Sequence, residues 1–160
     1  HYQVLFSIYY YRTGATGTID LYHSNCCQER FMKASRILII DQDDVFIRHV
    51  QAYFTTLGVD VISADEGTEG YRLAKTRDPG LIILDTIIPN LNGFQICRLL
   101  KDDDRFQSIP IVFVSSRDLF EDVTRAEQAK GDLFLRKPIV LDQLTEELIT
   151  LITSHEPASA

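Results

Sequence analysis

From Arg36 onward, short runs of β-branched and aliphatic residues alternate with stretches in which apolar residues recur three and four positions apart. The short runs predict strands at residues 37–40, 60–63, 81–84, 111–114 and 133–135. Three of them, ILII, LIIL and IVFV, are apolar at every position, as strands must be when both faces of their sheet are covered. The intervening stretches predict helices, each with one apolar stripe. The stripes are Phe46, Val50, Phe54 and Leu57; Tyr71 and Ala74; Phe94, Cys97 and Leu100; Leu119, Val123 and Ala126; and Leu141, Leu144, Leu148 and Ile152. Strand and helix in alternation imply an α/β fold, a parallel sheet joined by crossover helices.

Turn residues fall between the predicted elements. Gly58 stands where a left-handed cap would close the first helix, Asp78-Pro79-Gly80 breaks the second, and Pro110 precedes the fourth strand. Residues 1–35 do not follow this rhythm, and five of the seven tyrosines lie within the first 22 positions, which sets them apart as a separate piece. A short helix over residues 4–12 is expected there. So is a hairpin pairing 18–23 with 28–33 across Ser24-Asn25-Cys26-Cys27. The role of this extension is open: it is either a fragment of an upstream module or an artificial addition. A lone aromatic hairpin is marginal in water, so it is expected to dock on something, an intermolecular contact included. The expected division is an extension over 1–35, one domain over 36–153, and a polar tail over 154–160 with no output domain after it.

Composition narrows the class. A chain of 160 residues with 45% hydrophobic content can bury the core of one domain. The formal charge of −7, with no cluster of Lys and Arg, argues against direct nucleic-acid binding. Three cysteines, two of them adjacent at Cys26 and Cys27, make no disulfide framework and fit a reducing compartment, so a cytoplasmic location is expected. Vicinal thiols without matching partners do not make a zinc site, and His23, His49 and His155 are scattered. The apolar opening at residues 4–11 is too short to span a membrane and lacks the marks of a signal peptide.

In an open parallel sheet wound in both directions, ligands gather at the carboxyl ends of the strands. Asp41 follows the first predicted strand, with Asp43 and Asp44 behind it, and Asp85 ends the third. Ser115 follows the fourth, and Lys137 the fifth, just before Pro138. Packing alone explains no such set; a small polar pocket for a cation and a phosphoryl group does.

The segments ILIID, LIILDTIIPNLNG, IPIVFVSS and FLRKP together resemble the receiver domain of response regulators, and the resemblance covers residues 36–153. It implies a doubly wound, flavodoxin-like sheet of five parallel strands in the order 2-1-3-4-5. It implies that Asp85 accepts a phosphoryl group from a histidine kinase or phosphotransfer protein, with Lys137 supplying a point charge and Ser115 a hydrogen bond. A Mg²⁺ ion would sit on Asp41, Asp85, the Ile87 backbone carbonyl and position 42. Movement of Ser115 would let Phe134 turn inward and reshape the surface of the fourth helix and fifth strand for a downstream protein partner. Such a module is not an enzyme beyond its own phosphorylation and dephosphorylation. A homodimer would use the N-terminal extension or the face between the fourth and fifth helices.

The departures matter as much as the match. Counting back from Leu57-Gly58 without gaps places the family's acidic pair at Asp41 and Gln42, so an amide stands where a carboxylate normally contacts the metal. Each opposing unit charge at about 4 Å is worth on the order of 4 kcal/mol at an effective dielectric near 20, so Mg²⁺ affinity is expected to fall. Gln42 retains a neutral carbonyl, and Asp43 would compensate only by reaching inward; otherwise Asp43 and Asp44 serve as first-turn carboxylates. Asn92, where the family often carries Asp, lies in a loop and is not catalytic. The run Asp102-Asp103-Asp104 reads as a solvated loop. Gln42 motivates a second hypothesis, a phosphorylation-independent pseudo-receiver serving as an interaction module. A third, a flavodoxin-like cofactor protein, would need a first loop rich in Ser, Thr and Gly, whereas Asp41-Gln42-Asp43-Asp44 would repel an anion.

Overall fold

A computed structural model describes residues 36–117 and 120–154 of the chain; the expected helix and hairpin of the N-terminal extension, Cys26, Cys27, His23, His155 and Leu119 lie outside the described residues. The elements run β1 (Arg36–Ile40), α1 (Asp44–Thr56), β2 (Asp60–Ala64), α2 (Gly67–Thr76), β3 (Leu81–Asp85), α3 (Gly93–Lys101), β4 (Ile111–Ser115), α4 (Phe120–Gln128), β5 (Leu133–Arg136) and α5 (Leu141–Ser154). The strands form one parallel sheet in the order β2-β1-β3-β4-β5, the expected topology.

Alternation along each strand divides the core in two. Leu38, Ile40, Ile82, Leu84, Ile111 and Phe113 face α2, α3 and α4, where they meet Leu73, Ala74, Ile96, Cys97, Leu100 and Ala126. Ile37, Ile39, Leu81, Ile83, Val112 and Val114 face α1 and α5, where they meet Ile47, Val50, Phe54, Leu144 and Leu148. Both faces being buried, the all-apolar strands are required. Side-chain direction in a strand alternates with period two, so this division also fixes which face each strand-end residue presents.

The strands outrun their predicted bounds by one residue each. β1 begins at Arg36, β2 reaches Ala64, and β3, β4 and β5 close on Asp85, Ser115 and Arg136. Polar side chains end an apolar run but leave the backbone ladder intact. Past the last paired residues, Asp41 still donates its N–H to the Ala64 carbonyl at 3.1 Å, Thr86 to Val114 at 3.3 Å, and Lys137 to Ser115 at 2.8 Å. The helical stripes also shift. Leu57 is the C-cap of α1 and Ile47 fills the stripe instead; Leu73 joins Ala74 in α2 while Tyr71 is half-buried; Val123 is exposed. α5 extends through Ser154, one residue into the expected tail. No described helix is long and apolar enough to cross a membrane.

Gly58 adopts φ 79° directly after the α1 cap, the left-handed conformation its position predicts. At the opposite rim from the strand carboxyl ends, the buried Lys101 ammonium donates to Asp132 Oδ2 at 2.7 Å and to the Gln107 and Ile109 carbonyls. Asp132 in turn accepts the Ile111 N–H at 2.7 Å, so one ion pair ties α3 to the starts of β4 and β5.

Helix α3 starts hard against β3. A Cβ on Gly93 would lie 2.2 Å from the Asp85 carbonyl oxygen, a backbone atom that cannot swing aside. Gly93→Ala is therefore expected to lower stability by about 1–3 kcal/mol and displace the loop after Asp85. Urea unfolding monitored by circular dichroism checks this: a midpoint equal to that of the parent chain would mean that α3 is free to move away.

Candidate functional site

The carboxyl ends of β1, β3 and β5 bring three charged side chains together. Asp41 is fully buried at the end of β1; its Oδ1 accepts the Asp43 N–H at 2.8 Å and its Oδ2 accepts from Lys137 Nζ at 2.5 Å. Asp85, the last residue of β3, is also buried; its Oδ1 accepts the Ile87 N–H at 2.8 Å and its Oδ2 accepts from Lys137 Nζ at 3.1 Å. The Lys137 ammonium thus bridges both carboxylates while lying 4.4 Å from the centre of the Phe46 ring. That aromatic contact adds a modest attraction to a desolvated cation.

Burial sets the electrostatics. Withdrawal from water pushes the Asp41 carboxyl above the ordinary aspartate value, against the opposing pull of its bonds to Lys137 and the Asp43 N–H. The same withdrawal works against the charge on Lys137, but hydrogen bonding and attraction from Asp41 and Asp85 prevail and hold its pKa above the ordinary lysine value. Two carboxylates share one ammonium, so one net negative charge remains in the pocket.

Ser115 closes β4 with its side chain fully buried. Its Oγ accepts the Arg117 N–H at 3.1 Å and the Thr86 hydroxyl at 3.0 Å, and its carbonyl accepts the Lys137 N–H. Phe134 lies on β5 opposite Phe113, half-buried against the core facing α2–α4.

Gln42 and the Ile87 carbonyl, both expected to face a metal, are instead bonded to each other: Gln42 Nε2 donates to the Ile87 oxygen at 3.2 Å. Asp43 does not reach inward. Its Oδ1 caps α1, accepting the Val45 and Phe46 N–H groups at 3.1 Å each, while Asp44 pairs with Arg48 one turn on. Asn92 caps α3 in a reciprocal box with Gln95, which accounts for an amide at that position. Asp102 pairs with Lys130, and half-buried Asp103 is held down to about 2 by hydrogen bonds from Arg105.

The donor set suits a Mg²⁺ ion in kind. Mg²⁺ is commonly held by one or two carboxylates with several retained waters, and Asp41, Asp85 and the Ile87 carbonyl supply two carboxylates and a neutral oxygen. It is one anionic ligand short, because position 42 presents an N–H; among the described residues no group of three His, Cys, Asp or Glu side chains converges.

Thr86 escaped the sequence reading. A lone Thr after a strand carries no signal, but the register Asp85↔Val114 places the next residues, Thr86 and Ser115, side by side. Beside them lies a cavity of about 200 Å³ lined by Ile87, Phe94, Arg117, Asp122 and Arg125. There Asp122, 2% exposed, stands 3.6 Å from Arg117 and 3.9 Å from Arg125, whose guanidinium covers Phe94. The i,i+3 spacing of Asp122 and Arg125 pairs them on one helix face, but it does not show that Arg117 joins them or that the group lines a cavity.

Known proteins share the sequence pattern and the fold. The family model described as response regulator receiver domain matches residues 37–149. Protein PilG of Pseudomonas aeruginosa is 32% identical over 125 residues, a match covering 77% of this chain and 88% of PilG. The DNA-binding dual master transcriptional regulator RpaA of Synechocystis is 31% identical over 127 residues, covering 78% of this chain and 53% of that protein. In fold, the CheY-like receiver domain protein of Methanospirillum hungatei superposes with a TM-score of 0.71 at 19% identity, covering 76% of this chain and 95% of that structure. With its strand order, its buried core and a family match running from β1 into α5, this chain belongs to the response regulator receiver domain family of two-component signalling.

Proposed function

We propose that Asp85 accepts a phosphoryl group from a phosphohistidine of a kinase or phosphotransfer protein, and that the chain passes the change to a downstream protein partner. The observation that carries this reading is the single ammonium of Lys137 bridging Asp41 and Asp85 at the strand ends. An Asp85 carboxylate oxygen attacks phosphorus, the phosphorus–nitrogen bond to the donor imidazole breaks, and an acyl phosphate forms on Asp85. Lys137 lies where its charge meets the incoming phosphoryl oxygens, and the Ile87 N–H holds Asp85 Oδ1 so that one carboxylate oxygen is oriented. Ser115 presents its hydroxyl to a phosphoryl oxygen, with Thr86 and the Arg117 N–H fixing its position. A Mg²⁺ ion on Asp41, Asp85 and the Ile87 carbonyl, when bound, supplies further positive charge against those oxygens.

Output on this reading starts at Ser115. Drawing its hydroxyl toward phosphate releases Thr86 and shifts the end of β4, next to β5 and Phe134, which carries the change to the surface of α4 and β5. The partner is a protein rather than a nucleic acid, on the acidic charge of the chain. Cysteine usage puts the exchange in the cytoplasm. A homodimer through the face of α4 and α5 is compatible with this route.

One observation favours a second reading. Gln42 Nε2 donates to the Ile87 carbonyl that a cation would otherwise use, which suits a docking module that works unphosphorylated. Acetyl phosphate with Mg²⁺, followed by intact-mass spectrometry, separates the two. Phosphotransfer predicts one added phosphate on the parent chain and none on Asp85→Asn; an unmodified parent at millimolar reagent leaves only the docking reading.

Charge balance gives a further expectation. With its folded pKa raised, Asp41 contributes stability that is fully present below its unfolded value and lost as pH rises through the folded one. Lys137→Met removes a lowering influence and leaves the burial, so Asp41 should titrate at higher pH than in the parent. Carbon-detected NMR of the Asp41 carboxyl reads this directly, and an unchanged or lower midpoint would mean that the ammonium does not hold this carboxylate.

A further inference from the structure

Gln42 faces an atom that can only accept. The Ile87 carbonyl has no proton to give, so the carboxamide must present its nitrogen, with Oε1 turned away. A carboxylate at position 42 would set acceptor against acceptor, an arrangement that needs a cation between them. The amide makes the pair attractive with nothing between.

Neither loop joined by this bond is free to drift. The loop after β1 is fixed by the Asp43 N–H on Asp41 and by the Asp43 cap on α1. The loop after β3 is fixed by the Ile87 N–H on Asp85, by the Gly67 N–H on the Pro89 carbonyl at 3.0 Å, and by Asn90 on Glu66 at 2.5 Å. A divalent cation approaching the Ile87 oxygen therefore meets a fixed carbonyl, and the long, exposed Gln42 side chain is the part that must yield.

We propose that the Gln42 carboxamide is a neutral latch that joins the β1–α1 and β3–α3 loops in place of a divalent cation and competes with that cation for the Ile87 carbonyl. The latch rests on the cation site described under the proposed function. It differs in sign from the simpler view that Gln42 is a weak ligand: deleting a ligand weakens metal binding, whereas deleting a competitor strengthens it. Breaking one solvent-exposed hydrogen bond should be worth roughly two- to tenfold in affinity.

The test is a MgCl₂ titration of the full chain and of its Gln42→Ala and Gln42→Asp variants, followed by the backbone amides of residues 85–88 and the Gln42 carboxamide protons in NMR spectra. Position 42 is exposed, so both variants should keep the fold. Gln42→Ala is expected to bind Mg²⁺ roughly two- to tenfold more tightly than the parent, and Gln42→Asp more tightly still. In the parent, the Gln42 carboxamide signals should move in step with occupancy. Equal or weaker binding by Gln42→Ala, alongside tight binding by Gln42→Asp, overturns the latch and leaves the cation site standing. Carboxamide signals that stay still while the backbone amides shift overturn it too. No binding by any of the three removes the cation site, and the latch with it.

Discussion

One ammonium group shared between two buried carboxylates is the constraint on which the site depends. Asp41 and Asp85 sit at the ends of adjacent strands, out of water, where two unpaired negative charges would repel each other at high cost. Lys137 makes the pair tolerable, and it does so from a different strand, with β4 between. The geometry works only because all strands run parallel and end at one rim. Apolar residues further down each strand secure that alignment, since a one-residue slip would exchange the two faces of the core.

Much of this was legible in the sequence, for reasons that differ by element. The ILII, LIIL and IVFV runs named buried strands because no other common element needs every position apolar. Asp41, Asp85 and Ser115 stood out because they are polar residues directly after such runs, and Lys137 because it follows the fifth predicted strand just before Pro138. Four strands run one residue past the apolar run because the ladder continues through a polar residue, Arg36, Asp85, Ser115 or Arg136, while β2 extends through Ala64, which pairs with Ile40. Thr86 was missed because its meaning lies in the register of β3 against β4, and the cluster of Asp122, Arg117 and Arg125 because the i,i+3 pair Asp122/Arg125 reads as an ordinary helix-surface ion pair until the placement of the helix buries Asp122. Gln42 was read as a loss of charge. Its hydrogen bond to Ile87 was invisible, since the backbone oxygen that accepts it belongs to a loop 45 residues away in sequence.

The family frame and the particular residues thus do different work. Membership accounts for the sheet order, the core and the strand-end cluster. The amide at 42 hydrogen-bonded to Ile87, the Thr86 hydroxyl on Ser115, and the twin arginines around Asp122 are contacts read from the structure itself. Whatever tunes the chemistry of Asp85 relative to that of this chain's relatives is expected to lie in those contacts.

Strand β5 occupies the margin of the sheet, with a ladder on one side only, and its residues are the least covered of the five strands. Lys137, which it delivers, is separated from Asp41 by 96 positions. A nascent chain that has not yet reached Lys137 therefore holds an acidic pair with no counter-charge from it. Likewise, a mature molecule whose marginal strand frays loses its cation while most of the domain stays folded. Competence at this site is in effect a report that the domain has been made through β5 and closed.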